Sequence, residues 1–262
     1  MDAPDHTPHA ALRAPHAVLP YTALAAGYDA VMQHVDYQVW AEYAHHRLQE
    51  NHPNPQDVLE LGCGTGSLAM VLQPMGAYRY TATDRSADMI DQASRKAAQA
   101  RVPVAFGVAD FTDFQVKEPV DAVVLLYDGL NYLLEKEHVA DLLRCAYAAL
   151  RPGGVFLFDQ STPANSINNE AYFEGRGRTR SFSYVRQSRY DAETRLHTTT
   201  FTLTAGRERL QEEHVQRAYK LAEIRALVEA SGFTEIAAYD DFSTIPATEE
   251  AERIHWIVRR PA

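Results

Sequence analysis

The 262-residue chain is 46% hydrophobic and 23% charged, a composition that suits one large folded domain and argues against a disordered or fibrous protein. Its formal net charge of −10, from 25 basic and 35 acidic residues, disfavours a protein that neutralises nucleic-acid phosphates. There are two cysteines, no apolar run of bilayer length and no signal-peptide pattern. These features predict a cytoplasmic protein with no disulfide framework, metal site or membrane anchor.

The first fifty residues predict a tail followed by a helical cap. Residues 1–20 are rich in proline, alanine and histidine and are expected to form a flexible tail. From Ala23 to Glu50 apolar residues recur at helical spacing, which predicts one or two amphipathic helices. The prolines in "NHPNPQ" then end the helical pattern.

Strand-like and helix-like segments alternate from residue 57 to residue 160. Strands are predicted in "DVLEL", "YRYTATD", "VPVAFGVAD", "PVDAVVLLY" and "GGVFLFDQ". The helices between them are "GSLAMVLQPM", "SADMIDQASRKAAQA" and "KEHVADLLRCAYAAL". Uniformly apolar strands that alternate with helices indicate a parallel sheet covered on both faces.

The pattern changes after Asp159 and returns near the end of the chain. Between Arg178 and Tyr219, apolar and polar residues alternate in "RSFSYVRQSRY", "RLHTTTFTLT" and "RLQEEHVQRAY", which predicts three antiparallel strands. The helix "LAEIRALVEASGF", with Gly232 at its left-handed cap, and the strands "TEIAAYD" and "RIHWIVRR" follow. The predicted fold class is α/β, with a doubly wound, mostly parallel seven-stranded sheet from residues 21–160 and 219–262 and an antiparallel β lid inserted at residues 161–218.

A glycine-rich turn follows the first of these strands. It reads Glu60-Leu-Gly62-Cys-Gly64-Thr-Gly66, and alternate glycines tolerate positive φ and let a ligand approach the backbone. A dinucleotide site would need G-x-G-x-x-G, whereas Ser67 stands at the final glycine position. The spacing therefore disfavours a nicotinamide oxidoreductase.

The second strand ends in an acidic residue suited to a nucleoside. Asp84 stands 22 residues after Gly62, where an α/β fold holds a carboxylate that accepts hydrogen bonds from ribose hydroxyls. An acid at this place is also a common helix N-cap, but Ser86 can fill that role. We therefore expect Asp84, with Arg85 beside it, to bind a ribose.

Asp110 and Phe111 end the third strand, so that with the turn and Asp84 they describe one crevice at the carboxyl ends of consecutive strands. This arrangement, together with "LRPGGVFLFD", resembles the class I methyltransferases that use S-adenosylmethionine (SAM) over residues 57–160. The resemblance implies a Rossmann-like fold whose glycine turn receives the amino-acid and ribose parts of SAM. It also implies that Asp110 binds the adenine amine and that Phe111 and Met89 lie against the ring.

The implied SAM site extends to the N-terminal helix and to the loop after the fourth strand. The resemblance also implies that SAM is converted to S-adenosylhomocysteine. Tyr37 and Trp40 are expected either to close over the methionine end of SAM or to anchor their helix to the sheet. The predicted cofactor-binding residues are Tyr28, Tyr37, Trp40, Glu60, Gly62, Cys63, Gly64, Thr65, Gly66, Asp84, Arg85, Met89, Asp110, Phe111, Tyr127 and Asp128.

The outer segments narrow this resemblance. The stretches "YTALAAGYDAVMQHVDYQVWAEY", "DGLNYLLEKE", "EEHVQRAY" and "ERIHWIVRR" are similar to a largely uncharacterised group of bacterial small-molecule methyltransferases, related to the aminosugar N-methyltransferases. In the aminosugar enzymes two tyrosines of the N-terminal helix line the active site, and Tyr21 and Tyr28 have nearly that separation. Those enzymes carry a histidine where this chain has Tyr132, which leaves the methylated atom open between nitrogen and oxygen.

Four residues are predicted to act on the methyl acceptor. Asn131 and Tyr132, in the loop after the fourth strand, are expected to align it. Tyr21 and His214 are candidate proton acceptors, although no partner for His214 is visible in the sequence.

The predicted function is methyl transfer from SAM to a nitrogen or oxygen atom of a small molecule, by a monomer or homodimer. One alternative is an RNA or protein methyltransferase that uses the arginines between Arg176 and Arg195 as its contact surface. The acidic charge and the lack of an N-P-P-Y or D-P-P-Y loop weigh against RNA bases. A non-catalytic SAM-binding protein is the other alternative.

Overall fold

The computed structural model describes residues 14–262. Within them lie the strands β1 (His16–Val18), β2 (Asp57–Leu61), β3 (Arg79–Asp84), β4 (Val104–Val108), β5 (Val120–Leu125), β6 (Leu150–Ser161), β7 (Gly175–Arg178), β8 (Ser183–Asp191), β9 (Leu196–Ala205), β10 (Glu208–Arg217), β11 (Thr234–Asp240) and β12 (Arg253–Arg259). The α-helices are α1 (Tyr28–Val31), α2 (Tyr37–Asn51), α3 (Ser67–Gly76), α4 (Ala87–Ala100), α5 (Lys136–Ala149), α6 (Pro163–Asn168) and α7 (Leu221–Ala230). Short 3-10 helices lie at Leu24–Gly27, Gly129–Tyr132 and Glu170–Tyr172.

Seven strands form the central sheet, in the order β11-β12-β6-β5-β2-β3-β4. Strand β12 is antiparallel to both of its neighbours, whereas the pairs from β6 to β4 are all parallel. The chain runs outward from β2 to β4 and then returns to β5 on the other side of β2. The carboxyl ends of β2 and β5 are therefore the topological switch point, where α/β proteins bind ligands. This sheet confirms the predicted fold class.

Side chains alternate between the two faces of the sheet and so bury two apolar layers. In β2, Leu59 and Leu61 belong to a cluster that includes buried residues of α5 and α7. Val58, one residue earlier, faces the opposite cluster with α2 and α3. Each helix in residues 14–262 is too short or too polar to span a bilayer.

A second sheet, which we call the lid sheet, has the order β1-β10-β9-β8-β7. Strands β8, β9 and β10 are the three antiparallel strands predicted from the sequence. The sequence does not predict β7 and β1, because "GRGR" and "HAV" carry no apolar alternation typical of a strand. Residues His16–Val18 pair in parallel with β10 although a tail is predicted to residue 20, and residues 1–13 of that predicted tail lie outside the described residues.

The N-terminal cap, residues 21–32, is joined to the lid sheet by a third apolar cluster. The cluster contains Leu24 and Val31 of the cap together with Phe182, Phe201 and Leu203. Gly27 is needed at this contact because a Cβ there would lie 2.7 Å from the Phe182 ring. The cap and the lid sheet therefore form a single roof over one edge of the central sheet.

Candidate active site

A cavity of about 1510 Å³ lies at the carboxyl ends of the parallel strands, below the cap and the lid sheet. It brings together every residue predicted from the sequence for cofactor binding or catalysis, except Gly66. They are Tyr21, Tyr28, Tyr37, Trp40, Glu60, Gly62, Cys63, Gly64, Thr65, Asp84, Arg85, Met89, Asp110, Phe111, Tyr127, Asp128, Asn131, Tyr132 and His214.

The glycine turn provides an open stretch of backbone. Gly62, Gly64 and Gly66 have φ values of 62°, 54° and 73°, which a residue with a side chain rarely adopts. A Cβ on Gly64 would meet no atom within 4 Å, so this part of the turn is accessible to a ligand. A Cβ on Gly66 would lie 2.9 Å from the ring of Phe106, and this glycine therefore serves the packing of α3 rather than the cavity lining.

Asp84 ends β3 beside this turn. Its carboxylate accepts hydrogen bonds from the backbone N–H groups of Gly64 and Ser86, both at 2.8 Å. Burial raises its pKa above the ordinary value. Ser86 caps α4 by accepting from the Met89 N–H, so that Asp84 is free of the capping role, and Asp84 lines the cavity.

Asp110 stands at the end of β4. Burial pushes its pKa up, but hydrogen bonds from the Thr112 hydroxyl and N–H and the charge of Arg85 outweigh burial and lower it. The Arg85 side chain is 85% exposed and lies 3.9 Å from the carboxylate. Asp110 is therefore an anionic acceptor at the outer end of the cavity.

Three residues around the turn are held or buried by the protein itself. Glu60 accepts a hydrogen bond from the Tyr80 hydroxyl at 2.9 Å, and burial raises its pKa to about 8. Burial also raises the pKa of the Cys63 thiol, which keeps it protonated. Thr65 donates to Asp29 of α1, and this bond ties the cap to the turn.

The loop after β5 has an unusual backbone. Tyr127 and Asp128 are consecutive non-glycine residues with φ values of 70° and 52°. The Asp128 carboxylate accepts from Arg253 at 2.9 Å and from Gln216 at 2.7 Å, and its N–H donates to Asp159. Strained backbone of this kind persists where surrounding contacts hold it and is frequent at functional sites.

Arg253, which the sequence analysis missed, is the centre of this arrangement. Its guanidinium pairs with Asp128 and with the buried Asp159, and it lies 5.2 Å from the ring centroid of Trp40. Trp40 also contacts Phe242 edge-on at 4.8 Å, so it both lines the cavity and anchors α2. A charged residue at the start of an otherwise apolar strand was the available signal.

The Asn131 side chain is fully used by the backbone around it. Its amide donates to the carbonyl oxygens of Ser161 and Arg217 at 2.8 and 2.7 Å and accepts from the Ser161 N–H at 2.9 Å. Because β6 ends at Ser161 and β10 ends at Arg217, this residue connects the loop after β5 to both sheets.

A chain of hydrogen bonds runs from the cap into the lid sheet. The hydroxyl groups of Tyr21 and Tyr132 share one hydrogen bond. The Tyr132 hydroxyl lies 3.1 Å from His214 Nδ1, and His214 Nε2 lies 3.2 Å from Glu212 Oε2. We call these four residues the relay.

Glu212 is the buried end of the relay, with 0% exposure. Besides His214, its carboxylate accepts from the N–H groups of Tyr21, Ala23 and Leu24 at 2.6–2.8 Å. Burial pushes its pKa up, but the hydrogen bonds from His214 and the backbone outweigh burial and lower it. The sequence motifs do not include Glu212, although residues two apart on a strand, such as Glu212 and His214, share a face.

The ionised Glu212 sets the direction of the relay. Because a carboxylate can only accept, the neutral form of His214 carries its hydrogen on Nε2 and accepts at Nδ1 from the Tyr132 hydroxyl. Tyr132 has then used its hydrogen and accepts from Tyr21. The oxygen of Tyr21 is left as the acceptor at the open end of the relay.

The lid strands add cavity residues that the sequence analysis did not predict. Arg186 of β8, His197 and Thr199 of β9 and Gln216 of β10 line the cavity. Burial lowers the pKa of His197, whose Nδ1 lies 3.1 Å from the Ser166 hydroxyl. No group of histidine, cysteine, aspartate and glutamate in residues 14–262 is arranged to hold a metal ion.

Residues 58–154 match the family model of a methyltransferase domain. Two curated relatives extend this likeness to nearly the whole chain. A candidate methyltransferase from Geobacillus sp. (strain WCH70) is 27% identical over 92% of this chain and 99% of its own. A second, YqeM from Bacillus subtilis (strain 168), is 26% identical over 89% of this chain and 94% of its own.

Solved structures have the same fold. A SAM-dependent methyltransferase from Clostridium acetobutylicum superposes with a TM-score of 0.74 at 23% identity, over 90% of this chain and 96% of its own. A SAM-bound amino pentose methyltransferase from Micromonospora echinaspora gives 0.67 at 18% identity, over 89% and 96%. Residues 58–154 therefore match a methyltransferase domain, and the chain shares its fold with solved SAM-dependent methyltransferases.

Proposed function

We propose that the protein transfers a methyl group from SAM to a nitrogen or oxygen atom of a small molecule held between the central sheet and the lid sheet. The observation that carries this proposal is the single roofed cavity of about 1510 Å³. Ligand pockets commonly measure about 300–1,000 Å³, so this cavity has room for a cofactor and a second small molecule together. A roof formed by the cap and the lid sheet favours an enclosed acceptor over a macromolecule.

The residues at the sheet end of the cavity fit SAM. The open backbone at Gly64 suits its amino-acid and ribose parts, Asp84 suits the ribose hydroxyls, and Asp110 suits the adenine amine. Tyr37 and Trp40 line the same cavity and suit the methionine part. SAM supplies an activated methyl group when it is bound.

The relay suits an acceptor that must lose a proton. Tyr21 accepts a hydrogen bond from the hydroxyl or ammonium group of the acceptor. As the acceptor's proton passes to Tyr21, the Tyr21 proton passes to Tyr132 and the Tyr132 proton to His214 Nδ1. The net result is the transfer of one proton from the acceptor to His214. Glu212 stabilises the cation formed on His214.

Burial keeps the two relay tyrosines neutral at rest. It raises the pKa of Tyr21 and of Tyr132, and each also faces other acidic groups that act against a phenolate. The tyrosines therefore pass the proton on, and His214 is the group that holds it.

The relatives support both kinds of acceptor atom. A cypemycin N-terminal methyltransferase from Streptomyces is 34% identical over 41% of this chain. A ubiquinone biosynthesis O-methyltransferase from Methylobacterium is 36% identical over 43%. A sugar N-methyltransferase from Streptoalloteichus has the same fold, with a TM-score of 0.69. We therefore keep nitrogen and oxygen together in the proposal.

The first test is calorimetric titration with SAM, S-adenosylhomocysteine and NADH. We expect micromolar binding of the first two and none of NADH, with binding lost in Asp84→Ala. Asp91→Ala on the exposed side of α4 is the matched control and should bind as the unmodified protein does. Failure of well-folded protein to bind SAM would refute the proposal.

The second test supplies labelled SAM to a cell extract and separates small molecules from macromolecules. Label in the small-molecule fraction supports the proposal. Label in RNA or protein favours the alternative contact surface at the lid arginines. SAM binding with no transfer into either fraction favours a non-catalytic protein.

A further inference from the structure

One arginine of the lid sheet faces the cavity. Of the six arginines between residues 176 and 195, Arg186 is the one that lines it. In β8 the side chains of Tyr184 and Arg186 are partly buried, whereas Val185 and Arg189 are exposed on the opposite face. Arg186 lies directly across from Phe201 of β9, which also lines the cavity. The strand alternation therefore directs this guanidinium toward the acceptor side.

Arg186 differs from the other cavity arginines in its charge balance. Arg253 pairs with two aspartates, and Arg85 lies 3.9 Å from Asp110. Within residues 14–262 the Arg186 guanidinium donates a hydrogen bond to the Tyr172 carbonyl oxygen, and no carboxylate lies within salt-bridge distance of it. Arg186 therefore presents a cation at the cavity that pairs with no carboxylate of the described residues, and an anionic ligand can pair with it.

A second polar group of the lid sheet also has an atom without a hydrogen-bond partner among the described residues. His197 is 8% exposed and lines the cavity, and its Nε2 is buried with no hydrogen-bond partner among the described residues. Burial and the nearby charge of Arg186 lower its pKa, so the ring is neutral and Nε2 can make one hydrogen bond. Native structures seldom leave such an atom unused.

We propose that the methyl acceptor carries an anionic oxygen group, a carboxylate or a phosphate, that binds Arg186 and accepts a hydrogen bond from His197 Nε2. A guanidinium binds both groups through two parallel N–H bonds, which fixes the orientation of the ligand. The rest of the acceptor then extends toward Tyr21. This inference rests on the proposed function and narrows its substrate class to small anions.

The test compares matched ligands on protein saturated with S-adenosylhomocysteine. Benzoate and benzamide differ mainly in charge, and phenyl phosphate provides the phosphate case. We expect calorimetry to give about tenfold tighter binding of at least one anion than of benzamide. The stronger of the two anions identifies whether the site prefers a carboxylate or a phosphate.

Variants assign the preference to one side chain. Arg186→Gln should weaken binding of the anion about tenfold and leave benzamide binding unchanged, while Arg186→Lys should retain part of the preference. Arg189→Gln, on the same strand and the exposed face, is the matched control and should behave as the unmodified protein. Thermal denaturation of each variant verifies that it is folded.

Three results would overturn the inference. They are equal binding of benzoate and benzamide, an equal effect of Arg186→Gln and Arg189→Gln, and no binding of either anion at millimolar concentration. The proposed function is tested separately by binding of S-adenosylhomocysteine itself. Normal cofactor binding without an anion preference would refute this inference and leave the methyltransferase proposal intact.

Discussion

Tyr132 stands in the middle of the relay, between Tyr21, which we propose meets the acceptor, and His214, which we propose holds the proton. Tyr132→Phe keeps the ring and removes the hydroxyl, which interrupts the relay. We expect kcat to fall about 100-fold for an acceptor that must lose a proton, with the Kd for SAM unchanged. Steady-state kinetics and calorimetry measure the two quantities.

The control for this prediction is Tyr147→Phe. Tyr147 packs on Phe233 away from the cavity, so the same loss of a hydroxyl should leave kcat unchanged. A Tyr132→Phe enzyme with full kcat would show that the proton leaves by another route.

Glu60 makes stability depend on pH. Its pKa in the folded protein is raised by burial from 4.5 to about 8, so the folded state favours the protonated form. The stabilisation that this gives is fully present below about pH 4.5 and is lost as the pH rises toward 8. We expect Glu60→Gln to be more stable than the unmodified protein at pH 8 and similar to it at pH 4.5, by urea unfolding at both values. An equal difference at the two pH values would contradict this account.

Arg253, at the start of β12, joins the loop after β5 to the end of β6. Arg253→Met removes the cation and leaves the buried Asp159 without its ion pair. We expect the free energy of unfolding to fall by about 3–5 kcal/mol, as for other broken buried pairs. Urea unfolding is the measurement.

Arg225→Met is the control for this effect. Arg225 pairs with Glu235 at the surface, where such pairs contribute about 0–1 kcal/mol. Similar losses in the two variants would show that Arg253 acts mainly through its packing on Trp40.

The elements were predictable to the extent that their signals are local. Apolar runs predicted the parallel strands and alternation predicted β8, β9 and β10, because each pattern lies within one segment. Strands β1 and β7 have no such pattern and exist through their pairing with β10 and β8. Their formation depends on neighbours that are distant in sequence, which a segment read alone does not reveal.

The same distinction applies to the site. The turn, Asp84 and Asp110 follow their own strands, so one motif after another indicated the sheet end of the cavity. His214 was a candidate without a visible partner, because Tyr132 lies 82 residues away along the chain. The sequence places Arg186 only within the group of arginines between Arg176 and Arg195, since it does not show which face of β8 meets the cavity.

At the scale of the whole molecule, the cap and the lid sheet should open together. Glu212 of β10 binds three N–H groups of the cap, and an apolar cluster joins the same two parts. We expect hydrogen exchange to give similar opening rates for amides of residues 21–32 and of β8 to β10. Glu212→Gln should speed exchange in the cap and in β10 while leaving β2 and β5 unchanged. Fast exchange of the cap alone in the unmodified protein would contradict a shared roof.

The burial of Glu212 has a consequence for the timing of a catalytic cycle. His214 is 4% exposed and Glu212 is 0% exposed, so through the described residues the relay has its opening at Tyr21 and a closed end inside the lid sheet. In the proposed mechanism, a proton that reaches His214 stays there while the methylated product covers Tyr21. The enzyme would then regain its starting charge state only after the product departs. Each turnover would end with release of the proton to solvent, and the product-departure step would carry a solvent isotope effect.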